Sequence, residues 1–266
     1  MIANLHQRGS QVANILVFDS GMGGLTIYRE IRRLLPAHHY FYCFDNAHFP
    51  YGELSELALI DTCTKTVATM VGRHAIDLVV IACNTASTVV LPELRARLAI
   101  PVVGVVPAIK PAAALTRSGC IGLLATPGTV TRDYTHQLIA QFAPGKRVLL
   151  MGSTDLVVMA EQKLSGTPVD MVQLRDVMAP WCEGGPDTIV LGCTHFPLLG
   201  EEIATLMPDV VLVDSGEAVA RRVAHLLGEG GEEAGLGAAF CTRLDEDAAK
   251  LKAPLMAWGL STLQEI

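Results

Sequence analysis

Charge is scarce in this chain of 266 residues: 18% of them are charged and 50% are hydrophobic. That balance excludes a disordered, solvating polypeptide and leaves ample material for a buried core. Positive charge is scarcer still. Twenty Lys and Arg face 27 Asp and Glu, a net charge of −7, which excludes a general nucleic-acid binder. No apolar run reaches transmembrane length, so no membrane partner is expected. The opening MIANLHQRGSQVAN lacks the long apolar stretch of a secretory signal, and the expected setting is the cytoplasm. No CxxC pair occurs among the seven cysteines, an odd number that argues against a disulfide framework. In a reducing compartment all seven are expected to be free thiols. Cys43, Cys63, Cys120, Cys182 and Cys241 read as buried small apolar residues.

What is present alternates. Apolar runs of strand length at 14–21, 40–46, 77–83 and 101–107 are separated by helical patterns at 25–36, 56–75 and 86–98. The loop 47–55, AHFPYGELS, follows the second strand. The plan then restarts, with strands at 119–128, 147–154, 188–193 and 209–216 and helices at 129–142, 155–166, 170–182 and 217–228. An acidic, glycine-rich loop (228–237) precedes a tail with two strands around a helix. Short β-rich runs separated by helices imply parallel sheets with helices on both faces. The expected fold class is α/β, with two similar doubly wound lobes, mostly parallel sheets and an active-site cleft between the lobes.

One segment is repeated. DLVVIACNTAS (77–87) and DTIVLGCTHFP (187–197) share a plan: Asp, an apolar run, a small residue, Cys, then polar residues. Asp77 and Asp187 each stand six positions before their cysteine. In open α/β sheets the carboxyl ends of strands form the ligand crevice. Asp19-Ser20, Cys83-Asn84-Thr85, Thr126 and Cys193-Thr194-His195 all fall at such ends. Two facing units would bring both thiols to one cleft from opposite sides. Inverting a carbon centre needs a proton removed from one face and delivered to the other. Two thiols, with an ordinary pKa of about 8.5, need modest tuning to exchange those roles near neutrality.

Other chemistries fit less well. Gly21, Gly23 and Gly24 miss the GxGxxG spacing of a dinucleotide turn, and no P-loop lysine follows. A DSG turn could serve a phosphoaspartate enzyme, which leaves the twin thiols unexplained. A Cys-His hydrolase needs one cysteine, not two in matched frames. Cys193 and His195 lack a second ligand pair at zinc spacing, so no metal is expected. No lysine sits at a strand end where a pyridoxal enzyme would need one. A two-lobed amino-acid-binding module would share the cleft and have no use for the thiols.

VFDSGMGGLTIYREI, FPYGELS, VIACNTAS and LGCTHFPLL, in that order, resemble the glutamate racemases of the aspartate/glutamate racemase superfamily. The resemblance runs from about Asn14 to the end and is clearest through residue 220. It implies cofactor-independent interconversion of L- and D-glutamate, supplying D-glutamate for peptidoglycan. By position, Cys83 resembles the base that acts on D-glutamate, and Cys193 the base that acts on L-glutamate. Asp19 matches the family acid beside the first cysteine, where an Asx turn is the plainer alternative. His195 matches the histidine beside the second, whose charge would lower a thiol pKa. Glu161 matches a family carboxylate, although its surroundings, STDLVVMAEQKLSG, depart from the commoner version and leave a solvated helix face open. Pro50, Tyr51 and Gly52 resemble the loop that receives the side-chain carboxylate. Ser20, Asn84, Thr85, Thr126 and Thr194 offer short polar groups that can hold carboxylates at helix starts, or simply cap them.

The segment 104–119, GVVPAIKPAAALTRSG, reads as the link between lobes, stiffened by Pro107 and Pro111. It resembles that of racemases with a short N-terminal extension, some of which are switched on by a UDP-muramoyl precursor, which makes UDP-N-acetylmuramoyl-L-alanine a candidate partner. Residues 1–108 with 217–266 are expected to form one lobe, and 109–216 the other, in a monomer or homodimer.

Overall fold

The structure, a computed structural model, describes residues 11–231 and 233–266. The first ten residues, assigned from sequence to the first lobe, lie outside them, as does one position of the acidic loop.

The chain forms two parallel sheets. In the first, β1 (Asn14–Asp19), β2 (His39–Phe44), β3 (Leu78–Ile81) and β4 (Val102–Gly104) alternate with helices α1 (Leu25–Leu34), α2 (Glu56–Arg73) and α3 (Asn84–Arg97). The second begins after α4 (Ile109–Leu115). It comprises β5 (Cys120–Ala125), β6 (Arg147–Gly152), β7 (Thr188–Leu191) and β8 (Val211–Val213). Its connecting helices are α5 (Pro127–Val130), α6 (Asp133–Phe142), α7 (Asp155–Leu164), α8 (Met171–Cys182) and α9 (Gly200–Leu206). The chain then runs through α10 (Gly216–Leu227), β9 (Gly237–Cys241), α11 (Glu246–Lys250), α12 (Lys252–Ala257) and β10 (Leu263–Glu265).

Strand order shows the duplication directly. The first sheet reads β10-β9-β2-β1-β3-β4 and the second β6-β5-β7-β8, and every paired strand is parallel. The quartets β2-β1-β3-β4 and β6-β5-β7-β8 have one topology, and β9 and β10 extend the first. In each quartet the order reverses between the first and third strands, and ligand crevices open at such switch points. The central strands β3 and β7, Leu-Val-Val-Ile and Thr-Ile-Val-Leu, are buried at every position, as strands covered on both faces must be.

The repeated aspartates have a structural task. Asp77 Oδ2 accepts the backbone N–H of Asn14 at 2.9 Å, where β1 begins. Asp187 Oδ2 accepts those of Arg117 and Ser118 at 2.8 and 2.7 Å, just before β5. Each thus pins the start of the strand neighbouring the one that leads to its cysteine.

α4 packs against β5, β7 and β8, and α10, although it follows β8, packs against α1. The chain therefore crosses between sheets near 105–108 and again near 214–216, and Ser215 Oγ donates to the carbonyl of Val106 to tie the two crossings. Where sequence periodicity reads one helix over 129–142, there are two. Thr126 caps the short α5, and Arg132 is extended (φ −78°, ψ 140°) before α6 starts. Cys182 corrects an expectation: it is exposed at the end of α8, where the chain turns through Gly184 at φ 67°. Cys43, Cys63, Cys120 and Cys241 are buried.

Candidate active site

Cys83 follows β3 and caps α3. The backbone N–H of Ala86 donates to its Sγ at 3.4 Å, and Ser20 Oγ lies at 3.8 Å. Burial, followed by the nearby charge of Asp19, pushes this thiol well above the ordinary cysteine range; the Ala86 N–H opposes that. The charge of Cys193 also acts on Cys83, so the thiols are electrostatic neighbours across the lobes. They are 5% and 6% exposed, and the cleft is closed around them.

Asp19 ends β1 and is fully buried. Its Oδ2 accepts the N–H of Gly24 at 2.7 Å, while Oδ1 has no partner among the described residues. Asn84 Oδ1, beside Cys83, is likewise buried without one. Burial raises the Asp19 pKa against the opposing charge of His195. Two unpaired buried acceptors carry the cost of lost hydration until a donor arrives.

On the other side, Cys193 Sγ lies 3.7 Å from His195 Nδ1, and His195 Nε2 lies 2.6 Å from Glu161 Oε1. Burial works against a charge on His195. The hydrogen bonds to Cys193 and Glu161 outweigh it and hold the imidazole pKa well above its ordinary value. Glu161, on α7, is therefore part of this cluster and not a solvated helix-face residue. It also accepts the backbone N–H of Met22 at 2.6 Å, a bond that spans the lobes.

That contact gives the glycine-rich turn its purpose. A Cβ on Gly21 would stand 2.5 Å from Glu161 Oε1, and one on Gly23 2.4 Å from His195 Nδ1. The backbone nitrogen of Gly23 stands 3.2 Å from His195 Nε2. The turn lacks side chains because the histidine and glutamate of the other lobe dock on it. Sequence reasoning saw the glycines and not what they approach.

The remaining candidates lie along the same seam. Thr85 Oγ1 is 3.0 Å from Thr126 Oγ1 across the lobes, and Thr129, not identified from sequence, completes a trio at 3.0 Å from Thr126 and 3.3 Å from Thr85. Its signal was available, since a threonine three residues after a capping threonine lies on the same helix face. Gly52 packs against Thr126, and a Cβ there would lie 3.0 Å from that side chain. Pro50 carries a cis peptide bond and Tyr51 is buried. The carbonyl of Thr194 accepts Thr26 Oγ1 at 2.9 Å. Among the described residues no cluster of three or more His, Cys, Asp or Glu could hold a metal, and no helix is long and apolar enough to cross a membrane.

A doubly wound pair of sheets with one thiol at each switch point, closed face to face, defines a racemase-type α/β protein. The chain belongs to the Asp/Glu/hydantoin racemase family, whose pattern matches residues 15–223, and within it to the glutamate racemases. It is an isomerase, an amino-acid racemase. It is 50% identical over 258 residues to a glutamate racemase of Erwinia tasmaniensis, covering 95% of this chain and 91% of that one. The crystal structure of Escherichia coli glutamate racemase, bound to L-glutamate and the activator UDP-MurNAc-ala, superposes with a TM-score of 0.92. It shares 49% identity, covering 96% of this chain and 98% of that one. The glutamate racemase of Thermus thermophilus, in complex with β-chloro-D-alanine, matches at TM-score 0.75 and 31% identity over 97% of each chain.

Proposed function

We propose that this racemase interconverts L- and D-glutamate without a cofactor, by a two-base mechanism in which Cys193 and Cys83 address opposite faces of Cα. The observation that carries the reading is the placement of two buried thiols at equivalent switch points of duplicated sheets.

The protonation states differ between the two sides. Burial and Asp19 favour the neutral thiol at Cys83. The raised pKa of His195 favours an imidazolium, which stands 3.7 Å from Cys193 Sγ. The enzyme in this state is poised for L-glutamate. Cys193 thiolate takes the Cα proton, the electron pair stays on Cα as a carbanion, and the Cys83 thiol delivers a proton to the other face. That leaves Cys193 protonated and Cys83 as thiolate, the form ready for D-glutamate. Two sites that share protons in this way titrate as a pair.

The substrate ammonium fits the orphan oxygens Asp19 Oδ1 and Asn84 Oδ1. Ser20 lies beside Cys83, and Thr85, Thr126 and Thr194 line the same seam, with the N-terminus of α3 available to a carboxylate. Pro50, Tyr51 and Gly52 would receive the distal carboxylate and so favour glutamate over aspartate. The closed cleft requires the lobes to part for entry, with 1–108 and 217–266 moving against 109–216. The expected role is supply of D-glutamate for peptidoglycan in the cytoplasm.

Activation by UDP-N-acetylmuramoyl-L-alanine is the second part of the proposal. Segment 104–119 lines a cavity of about 310 Å³ at the crossings, with Lys110 and Arg222 among its walls. Racemisation measured with and without that compound tests it, and equal rates would count against it.

For the two-base mechanism, Cys83→Ser and Cys193→Ser are expected each to abolish net racemisation, because a hydroxyl is too weak a base. Residual Cα exchange in deuterated water should favour L-glutamate when Cys193 remains and D-glutamate when Cys83 remains. A Cys193→Ser enzyme racemising at near the wild-type rate would sink the mechanism.

A further inference from the structure

The loop 47–55 hangs from one buried carboxylate outside the thiol cluster. Asp45 follows β2, is 0% exposed, and donates its backbone N–H to the carbonyl of Asp19 at 3.0 Å. Its Oδ2 accepts Tyr51 Oη at 2.6 Å and Thr62 Oγ1 at 3.0 Å; its Oδ1 accepts Thr242 Oγ1 at 2.6 Å. His48 Nδ1 lies 3.0 Å from both oxygens. Four donors thus converge on one carboxylate from the turn after β2, the loop, α2 and the stretch after β9. Thr242 Oγ1 in turn accepts the N–H of Ala47 at 3.0 Å, and Asn46 trades two bonds with the backbone of Arg243, at 2.7 and 3.0 Å. The loop is stapled to the end of the chain.

While the Tyr51 phenol is committed to Asp45, the backbone N–H groups of Tyr51 and Gly52 have no acceptor among the described residues. The ring is buried, with its centroid 6.3 Å from that of Phe18. Ring and hydroxyl together fix where those two free donors stand.

We propose that Asp45 is a positioning residue that, through Tyr51, sets the depth of the pocket for the distal carboxylate and so the preference for glutamate over aspartate. The proposal rests on the reading that Tyr51 and Gly52 receive that carboxylate. The two substrates differ by one methylene, so a displacement on the order of 1 Å is enough to blur the distinction. Charge-assisted hydrogen bonds are short and strong, which suits an anchor that must hold to that tolerance. Burial alone would raise the Asp45 pKa. The Thr242, Tyr51 and His48 donors outweigh it and keep the carboxylate ionised.

The test uses Tyr51→Phe, which removes one oxygen and keeps the ring, together with Thr242→Val, Thr242→Ser and Asp45→Asn. Tyr51→Phe and Thr242→Val are expected to raise KM for both glutamate enantiomers about tenfold with kcat nearly unchanged, the scale of one lost charge-assisted bond. The ratio of kcat/KM for glutamate over aspartate should fall by a similar factor. Isotope effects with 2-deuterated L- and D-glutamate should not move, because neither thiol environment is touched. Thr242→Ser, which keeps the hydroxyl, should behave as wild type. Adding Tyr51→Phe to Asp45→Asn should cost little more than Asp45→Asn alone. Should Asp45→Asn fail to fold, the Tyr51 and Thr242 variants decide the matter. Wild-type KM and substrate ratio in both Tyr51→Phe and Thr242→Val would overturn the proposal. A loss confined to kcat and melting temperature would reduce Asp45 to a structural part. A wild-type enzyme turning over aspartate as well as glutamate would instead remove the Tyr51-Gly52 pocket itself.

Discussion

Gly23→Ala is the sharpest perturbation the site offers, because a single methyl would meet the cluster around Cys193 while leaving the surroundings of Cys83 alone. The new Cβ would fall 2.4 Å from His195 Nδ1, 2.6 Å from Cγ and 2.7 Å from Cε1. Ordinary contact begins at 3.4 Å, so the ring or the turn must retreat by about 1 Å. A retreat of that size disturbs the 2.6 Å pair of His195 with Glu161. A misplacement of about 1 Å costs on the order of a hundredfold in rate, or about 2.7 kcal/mol. The enantiomers are isoenergetic, so kcat/KM must fall equally in both directions. The isotope effects need not follow that symmetry. On the proposed two-base mechanism, abstraction by Cys193 becomes the slow step with 2-deuterated L-glutamate and the effect should rise. With 2-deuterated D-glutamate, the slow step becomes reprotonation from Cys193 and the effect should shrink. Gly72→Ala is the control: nothing lies within 4 Å of its Cβ on α2, and the change should leave activity intact while adding roughly 0.5–1 kcal/mol of stability. Circular dichroism of racemisation and exchange followed by NMR read both quantities. A Gly23→Ala enzyme within threefold of wild type, or isotope effects that change equally for both enantiomers, would refute the reasoning.

Glu161→Gln removes one of the two partners that hold His195 protonated, so the alkaline limb of kcat/KM should move to lower pH. Because the folded pKa lies above the ordinary 6.5, the pair's stabilisation is complete below that value and fades as pH rises through the folded one. The melting-temperature gap between wild type and Glu161→Gln should therefore be widest near pH 6 and narrow on the alkaline side. Asp187→Asn should cost about 1–3 kcal/mol at pH 7 by weakening the bonds to Thr116, Arg117 and Ser118. Although burial opposes it, those donors depress the Asp187 pKa below 3.8, so the contribution is present above that value and is lost as pH falls through the folded one. Urea unfolding at pH 7 and at acid pH checks this, and a gap that does not shrink in acid would contradict it.

Much of this was legible in the chain because burial leaves a local signature. β3 and β7 are continuous apolar runs, and their flanking Asp and Cys mark the same two points of each sheet. Contacts between distant segments leave no such mark. Glu161 and His195 are 34 positions apart and meet only through the packing of α7 against the turn after β7, and Asp45 gathers Tyr51, Thr62 and Thr242 from three segments. α4 was hidden by Pro111, which suggests a stiff link but sits in the first turn of a helix, where a missing N–H costs nothing. Cys182 looked like core because free cysteines usually are, yet the turn beyond α8 leaves it exposed.

The duplication is symmetric in topology and asymmetric in chemistry, and the asymmetry tracks the seam between lobes. The named partners of Cys83, which are Asp19, Ser20 and Ala86, all belong to the first sheet and its helices. Cys193 lies beside His195, and Glu161, the partner of His195, is held by the backbone N–H of Met22 from the opposite lobe. Parting the lobes would leave the hydrogen bonds of Cys83 in place and strip the Met22 donor from the Glu161–His195 pair. Closure therefore does more than exclude water: it completes the hydrogen bonding of the Glu161–His195 pair beside Cys193. On the proposed two-base mechanism, an enzyme that equilibrates two isoenergetic substrates gains from this arrangement, because the surroundings of Cys193 are completed only when a substrate can be enclosed with it.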